Sequence, residues 1–241
     1  MIPVRGSGTF TAGIIQSSSY RKSGGPGWIT REIARSPADA PYPLNAEHPF
    51  DYRISIARVW SSGQWSDYTG FERHFVLLDG DGVQIKHDPG KKKTIRKLFL
   101  PYPFSGDLTT YGTLLGDQPI EDFNVMIRRE FGYGRVNVIR PRIGAMSSSV
   151  SCELSAPLHF FFAARGSFEV YWSDTNQCIG LLEHQDTLRL NLNRRLGREK
   201  PGIQFNPLEE DSVILGVTIF IRGDGDLTAN RRSRHRRRRA A

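Results

Sequence analysis

A period of two constrains this chain more than any other feature. Asp122–Arg129 reads Asp-Phe-Asn-Val-Met-Ile-Arg-Arg, with Phe123, Val125 and Ile127 on one parity and Asn124, Met126 and Arg128 on the other. Such alternation belongs to a β-strand with two unlike faces. Phe50–Val59 repeats it, setting Phe50, Tyr52, Ile54 and Ile56 against Asp51, Arg53, Ser55 and Ala57. Few segments show helical periodicity over ten or more residues. Short runs separated by Gly, Pro, Asp or Asn dominate instead: Trp28–Ala34, Arg53–Trp60, His74–Leu78, Gly82–His87, Thr94–Leu98, Gly112–Gly116, Phe123–Arg128, Leu158–Ala164, Ser167–Trp172, Cys178–Leu182, Thr187–Leu192 and Val213–Arg222. A dozen short strands at this spacing predict an all-β sandwich or barrel.

The pattern breaks near Ile139–Ser149, where Pro141, Gly144 and three consecutive serines intervene. This places a first half at 20–140 and a second at 141–228, with Pro201–Asp211 read as a connecting loop. Residues 1–19 read as a partly disordered extension and 229–241 as a disordered tail. An internal echo links the halves. Phe75–Gly82 is a strand entering an Asp-Gly turn, followed by Pro103-Phe104-Ser105-Gly106-Asp107; Phe160–Gly166 is a strand entering a glycine turn, followed by Gln185-Asp186-Thr187-Leu188. Strand, glycine turn, strand and acidic turn is the rhythm of a cupin barrel.

Several segments together resemble a known family. Phe50-Asp51-Tyr52-Arg53-Ile54-Ser55-Ile56-Ala57 is similar to its Phe-Asp-Trp-Arg-Ile-Ser-x-Ala strand. Gly70-Phe71-Glu72-Arg73 and Val76-Leu77-Leu78-Asp79-Gly80 are similar to its Gly-x-Asp-Arg and Val-Leu-x-Gly segments. Phe104-Ser105-Gly106-Asp107 and Asp122–Arg129 complete the order. The family is HutD/Ves, and the resemblance runs from Ile14 to Leu192. It implies a cupin fold (a double-stranded β-helix, or jelly-roll barrel) with two barrel-like halves forming a bicupin. It also implies an association with bacterial histidine utilisation, through binding of an intermediate such as N-formylglutamate or urocanate, and brings no assigned catalytic activity. One departure stands out. The family's Trp-x-Asn-Gly-Gly-Gly-x-Thr-x-Glu-Ile is here Lys22–Ile33, which keeps Thr30, Glu32 and Ile33 but breaks the glycine run at Gly24-Gly25-Pro26-Gly27-Trp28. A glycine-rich loop lets backbone amides approach an anion closely, so a changed run points to a changed ligand.

Charge needs care. The net charge is +8, but seven arginines sit within Arg231–Arg239, so the remaining residues carry only +1. A block of like charges repels itself and resists folding. Nucleic acid is therefore expected as a partner only nonspecifically, through that tail. No apolar run nears the roughly 20 residues that span a bilayer. Thr9–Ile15 is too short and too broken by Gly13 for a signal peptide's apolar region. With just two cysteines, Cys152 and Cys178, both read as small buried hydrophobes, the expectation is a cytoplasmic protein with reduced thiols and no membrane association. A homodimer stays open.

The residues argue against a metal centre and against any cofactor. Metal-binding cupins need a His-x-His pair, a nearby glutamate and a further histidine. Here His74 stands alone, Val76 occupies the next ligand position, and no histidine lies between Gly106-Asp107 and Arg129. There is no Gly-x-Ser-x-Gly elbow and no cysteine beside an obvious base. Arg53, Ser55, Arg73, Asn124 and Arg128 instead suit a small polar or anionic metabolite, because guanidinium forks match carboxylates and amide or hydroxyl groups orient the rest. The competing arrangement turns this parity to solvent and fills the barrel with Tyr52, Ile54, Ile56, Phe123, Val125 and Ile127. Arg129, on the other parity, reads as a surface partner for Glu130. The alternative function is a metal-free isomerase or epimerase using Glu72, His74 or Asp122 as acid or base. Phe160-Phe161-Phe162 with Tyr171-Trp172 reads as core or as an interface between barrels.

Overall fold

Alternating runs become strands when their apolar parity finds a surface to pack against, and here that surface is a second sheet. The computed structural model describes residues 2–3, 10–40, 50–90, 92–141, 149–192 and 201–223. These residues form β1 (Ile2–Pro3), β2 (Phe10–Ile15), β3 (Arg21–Gly25), β4 (Trp28–Ser36), β5 (Tyr52–Val59), β6 (Gly63–Gln64), β7 (Phe71–Asp79), β8 (Val83–Asp88), β9 (Lys92–Ile95) and β10 (Tyr102–Ser105). They continue with β11 (Thr109–Leu114), β12 (Ile120–Arg128), β13 (Gly132–Ile139), β14 (Val150–Glu153), β15 (Leu158–Arg165), β16 (Phe168–Trp172), β17 (Cys178–Leu182), β18 (Thr187–Leu192), β19 (Gly202–Pro207) and β20 (Val213–Ile221). One short 3₁₀ turn, Ser17–Ser19, is the sole helical element among the described residues. The fold is all-β.

The strands make four sheets: β10-β7-β12-β5-β4-β3, β6-β11-β8-β9, β1-β2-β18-β15-β20-β13 and β14-β19-β16-β17. A repeat of eight strands is visible in these orders. Adding eight to each label turns β10-β7-β12-β5 into β18-β15-β20-β13, and β6-β11-β8-β9 into β14-β19-β16-β17. The echo in the sequence marks the corresponding hairpins. β7 leaves a six-stranded sheet through Gly80 and Gly82 to reach β8, and β15 leaves the other through Gly166 to reach β16. All three glycines have positive φ, the conformation that lets a chain turn this sharply without a Cβ clash.

Sheet membership crosses the expected boundary at 140. β13 pairs along its whole length with β20, and β2, from the expected N-terminal extension, pairs with β18. Pro201–Asp211, expected as a loop, contains β19, an inner strand of its sheet between β14 and β16. Residues 142–148, most of the expected break, and the Arg231–Arg239 tail lie outside the described residues.

The apolar parity fills the space between the two six-stranded sheets. Tyr52, Ile54, Ile56, Phe123, Val125 and Ile127 share one buried cluster with Phe160, Phe162, Leu215, Val217 and Ile219. Phe123 stacks on Phe162 at 4.9 Å between ring centroids. The triple phenylalanine therefore splits: Phe160 and Phe162 join this shared core, while Phe161 and Trp172 pack inside the second half with Phe168, Leu188 and Phe205. The cysteine expectation needs correcting. Cys152 is half-buried and Cys178 is exposed, since Cys178 begins β17, at the edge of its sheet.

Candidate functional site

The polar parity of β5 and β12 faces the inside of the first half, away from the shared core. Register fixes what meets there. Arg53, Met126 and Arg73 stand side by side across β5, β12 and β7; Ser55, Asn124 and Phe75 form the next row; Ala57, Asp122 and Leu77 the row after. On β4, a bulge between Glu32 and Ala34 inserts one residue, so Ile33 and Ala34 both join the shared core and Glu32 is set beside Ser55. The rows border a cavity of about 450 Å³ whose wall includes Arg53, Ser55, Arg73, Asp122 and Asn124.

Of the residues singled out in the sequence, Arg53, Ser55, Arg73 and Asn124 come together in this wall, and Arg128 does not. Parity chooses a face but not a height along the strand. Arg128 sits at the end of β12, paired with Phe71, and its guanidinium is held by Asp51 and, at 3.6 Å, by Glu130. Arg129 is corrected too: it pairs with Asp107, not Glu130, and it donates to the Phe71 carbonyl at 3.0 Å. Of the candidate acid–base groups, only Asp122 lines the cavity. Glu72 and His74 do not, and His74 Nε2 is buried with no hydrogen-bond partner among the described residues.

The two arginines of the wall differ. Arg53 Nε donates to Glu32 Oε2 at 2.8 Å, and Arg35 Nε lies 3.3 Å from Glu32 Oε1, so a buried carboxylate already neutralises this corner. Arg73 makes no ion pair among the described residues. Its guanidinium carbon lies 5.0 Å from the Phe104 ring centroid, 5.4 Å from Tyr68 and 5.6 Å from Trp65, and Nη1 donates to the Ser66 carbonyl at 3.2 Å. This cage holds the cation by its faces and leaves Nε without a hydrogen-bond partner. Burial draws Arg73 down to about 10, so it stays charged at neutral pH. Asn124 donates from Nδ2 to Asp122 Oδ1, and its own Oδ1 is buried without a partner among the described residues. Burial pushes the Asp122 carboxyl up to about 8; Arg73 opposes the rise and Glu121 adds to it. The cavity thus offers a caged cation, an orphan donor, an orphan acceptor and an acid that holds its proton near neutrality. Among the described residues no three His, Cys, Asp or Glu side chains converge as a metal site.

A family model for HutD matches residues 17–202. The chain belongs to the HutD family. Two relatives named Protein Ves are 32% identical over 109 residues (Citrobacter koseri; 45% of this chain and 53% of the relative) and 31% over 99 residues (Escherichia fergusonii; 41% and 48%). The match spans about half the length of these curated relatives. Among solved structures, a conserved protein of unknown function from Pseudomonas aeruginosa superposes with a TM-score of 0.73 at 23% identity, covering 88% of this chain and all of that one. HutD from Pseudomonas fluorescens superposes at 0.66 with 20% identity over the same shares. YlbA from Escherichia coli reaches 0.62 at 9% identity, covering 93% of this chain and 94% of its own. These structures carry the fold alone, and it is cupin-like.

Within this HutD-family chain, sequence reasoning missed the segment 60–68. Trp65 lies against β11, stacks on Phe75 at 5.3 Å and donates its backbone N–H to the Thr110 carbonyl. A Cβ at Gly112 would sit 2.5 Å from Trp65 Nε1, so β11 must carry glycine there for the ring to enter. The signal was present in the Trp65–Tyr68 spacing next to Gly70, yet no strand alternation drew attention to it. The altered glycine run also reaches the cavity: Ser23, Pro26 and Trp28 border it, and Trp60 donates to the Gly27 carbonyl at 2.9 Å.

Proposed function

We propose that this chain is a metal-independent, small-molecule-binding bicupin that takes a carboxylated metabolite into its first half. In keeping with its family, that metabolite would be an intermediate of histidine catabolism, which the protein senses or governs in the cytoplasm. The observation that carries the reading is Arg73, a buried cation in a cavity wall that makes no ion pair among the described residues. A buried charge is normally paired, and a ligand carboxylate would supply the missing partner together with acceptors for Nε. Asn124 Oδ1 would accept an N–H or O–H from the same molecule. The repeated eight-strand order supports the two-barrel description.

The test is a thermal-shift panel of histidine, urocanate, formiminoglutamate and N-formylglutamate. Saturable stabilisation by at least one, without turnover, is the expected result. No shift with any of the four would reject the histidine-pathway assignment. The second reading, a metal-free isomerase or epimerase, is favoured by Asp122 alone, because it is an acid in the cavity whose proton exchanges near neutral pH. Product formation from a bound compound, abolished in Asp122→Asn, would establish it; binding without turnover over hours would dismiss it.

A further inference from the structure

Two buried acids sit on the inner face of the first half's six-stranded sheet, and they are treated oppositely. Glu32 is met by the guanidinium groups of Arg53 and Arg35. Asp122 is 3% exposed and its one hydrogen-bond partner among the described residues is Asn124. Arg53 is committed to Glu32, and Arg73, whose charge opposes the rise of Asp122, makes no ion pair with it. Asp122 is also the one acid in the described lining of the cavity. An ionised Asp122 would repel an anion brought to Arg73. A neutral Asp122 would offer it an O–H.

We infer that Asp122 meets the ligand carboxylate as a neutral acid and donates a hydrogen bond to it, so that Asp122 and Arg73 form a two-donor clamp and anion capture requires one proton to be kept in the cavity. The inference rests on the carboxylate reading of the site. Asn124 positions the acid: its Nδ2–H occupies Asp122 Oδ1, which leaves the other oxygen to carry the proton. Alternation along β12, unbroken against β5, turns Glu121 away to Arg31 while keeping Asp122 on the cavity face; the bulge at this step lies in β7, where Leu78 is the extra residue. The charged groups that act on Asp122 are Arg73 on β7 and Glu121 on its own strand, and Arg73 in turn feels Tyr68 and Asp67 of the 60–68 segment, Arg53 on β5 and His87 on β8. Arg73 deprotonates only near 10, and burial, reinforced by Arg73, keeps His87 below its ordinary range. Asp122, raised to about 8, is then the group that titrates between them.

The sign follows from linkage. The binding-competent form is protonated, so affinity is steady below the Asp122 midpoint and falls about tenfold per pH unit above it, where binding takes up one proton. The experiment combines ¹³C NMR of aspartate-carboxyl-labelled protein with titrations of acetate and glutarate from about pH 6 to pH 10. One carboxyl resonance, absent from Asp122→Asn, is expected to titrate near 8, and probe affinity is expected to fall above the same midpoint. Asp122→Asn keeps an N–H donor without a titrating proton, and its affinity should be flat until Arg73 itself titrates. A resonance that titrates in the ordinary carboxyl range, or wild-type affinity that is flat or rises with pH, overturns the inference and leaves the carboxylate reading standing. If neither probe binds at any pH, the carboxylate reading fails and the inference falls with it.

Discussion

The two halves share one strand order and have opposite interiors. Matching β5, β7 and β12 to β13, β15 and β20 through their registers sets Arg53 against Arg135, Ser55 against Asn137, Arg73 against His159, Asp122 against Ile214 and Asn124 against Gly216. In both halves the preceding segment bonds the same position through its backbone: Arg73 donates to the Ser66 carbonyl, and the Ala156 N–H donates to His159 Nε2 at 3.1 Å. Beyond that the halves diverge. Phe161, Phe168, Trp172, Phe205 and Ile214 fill the second interior, whereas Asp122 and Asn124 stand at a cavity in the first. The β3–β4 hairpin is the other difference. It extends the sheet past β5, buries Arg53 and brings Glu32 to it, while β13 is an edge strand that leaves Arg135 and Asn137 exposed. A repeated scaffold can therefore keep one half as a packed support and spend the other on a site.

The largest expected effect comes from swapping the residue that separates the interiors. Ile214→Asp would place a carboxyl among the packed side chains of the second half, with Gly216 where the first half has Asn124. It should cost about 3–5 kcal/mol at neutral pH, or prevent folding, as urea melts would show. The reverse change, Asp122→Ile, should stabilise. Asp122's folded pKa is raised from 3.8 to about 8, so the stability of its neutral form is fully present below the lower value and is lost as pH rises through the higher one. The gain on removing it should be small near the lower value and reach its ceiling above the higher one. A gain independent of pH would contradict the assignment of the proton to Asp122.

Next in size is binding. Arg73→Met should weaken glutarate or any panel compound that binds by about 10- to 100-fold, the worth of a charge-assisted hydrogen bond, whereas Arg135→Met in the other half should change affinity by less than about twofold. Equal losses at the two positions would mean the halves are not divided in this way.

Much of this division was legible in the sequence, and the reasons for the rest are specific. Ten of the dozen expected strands coincide with observed ones, whereas Gly112–Gly116 overlaps only the end of β11 and Thr94–Leu98 meets β9 only at Thr94 and Ile95. β13 escaped notice because Gly132 and Gly134 dilute its alternation, and β19 because Pro201 and Pro207 frame it like a loop. Parity also grouped Arg53, Ser55, Arg73 and Asn124. It could not reveal that both parities are covered, one by a second sheet and one by a cavity, since a single strand does not announce its neighbours. Glu32, Trp65 and Tyr68 arrive from other segments, and only three-dimensional contact joins them to the site.

Smaller still is the effect of crowding the aromatic wall. Gly112→Ala puts a methyl 2.5 Å from Trp65 Nε1, and the indole must tilt off Phe75 and loosen its hold on Arg73. Overpacking of this kind costs about 1–3 kcal/mol at most, less if the segment yields. Probe affinity should fall several-fold while Trp fluorescence shifts toward that of a more solvated indole. An unchanged spectrum with unchanged affinity would show that Trp65 is not part of the wall that matters.

The smallest effect defines the edge of the site. Arg128 shares its parity with Asn124 and Met126 and is grouped with them by the sequence, but it stands beyond the last pairing of β12 with β5, where Asp51 and Glu130 hold it. The Asp51 pair is partly exposed, 32% and 22% at the side chains, so solvent screens it and its contribution is below about 1 kcal/mol. Arg128→Ala should leave probe affinity within about twofold and lower stability by no more than that amount. Affinity loss comparable to that of Arg73→Met would place the ligand at the end of β12 instead of over its middle, and the cavity between Asp122 and Met126 would no longer mark the binding half.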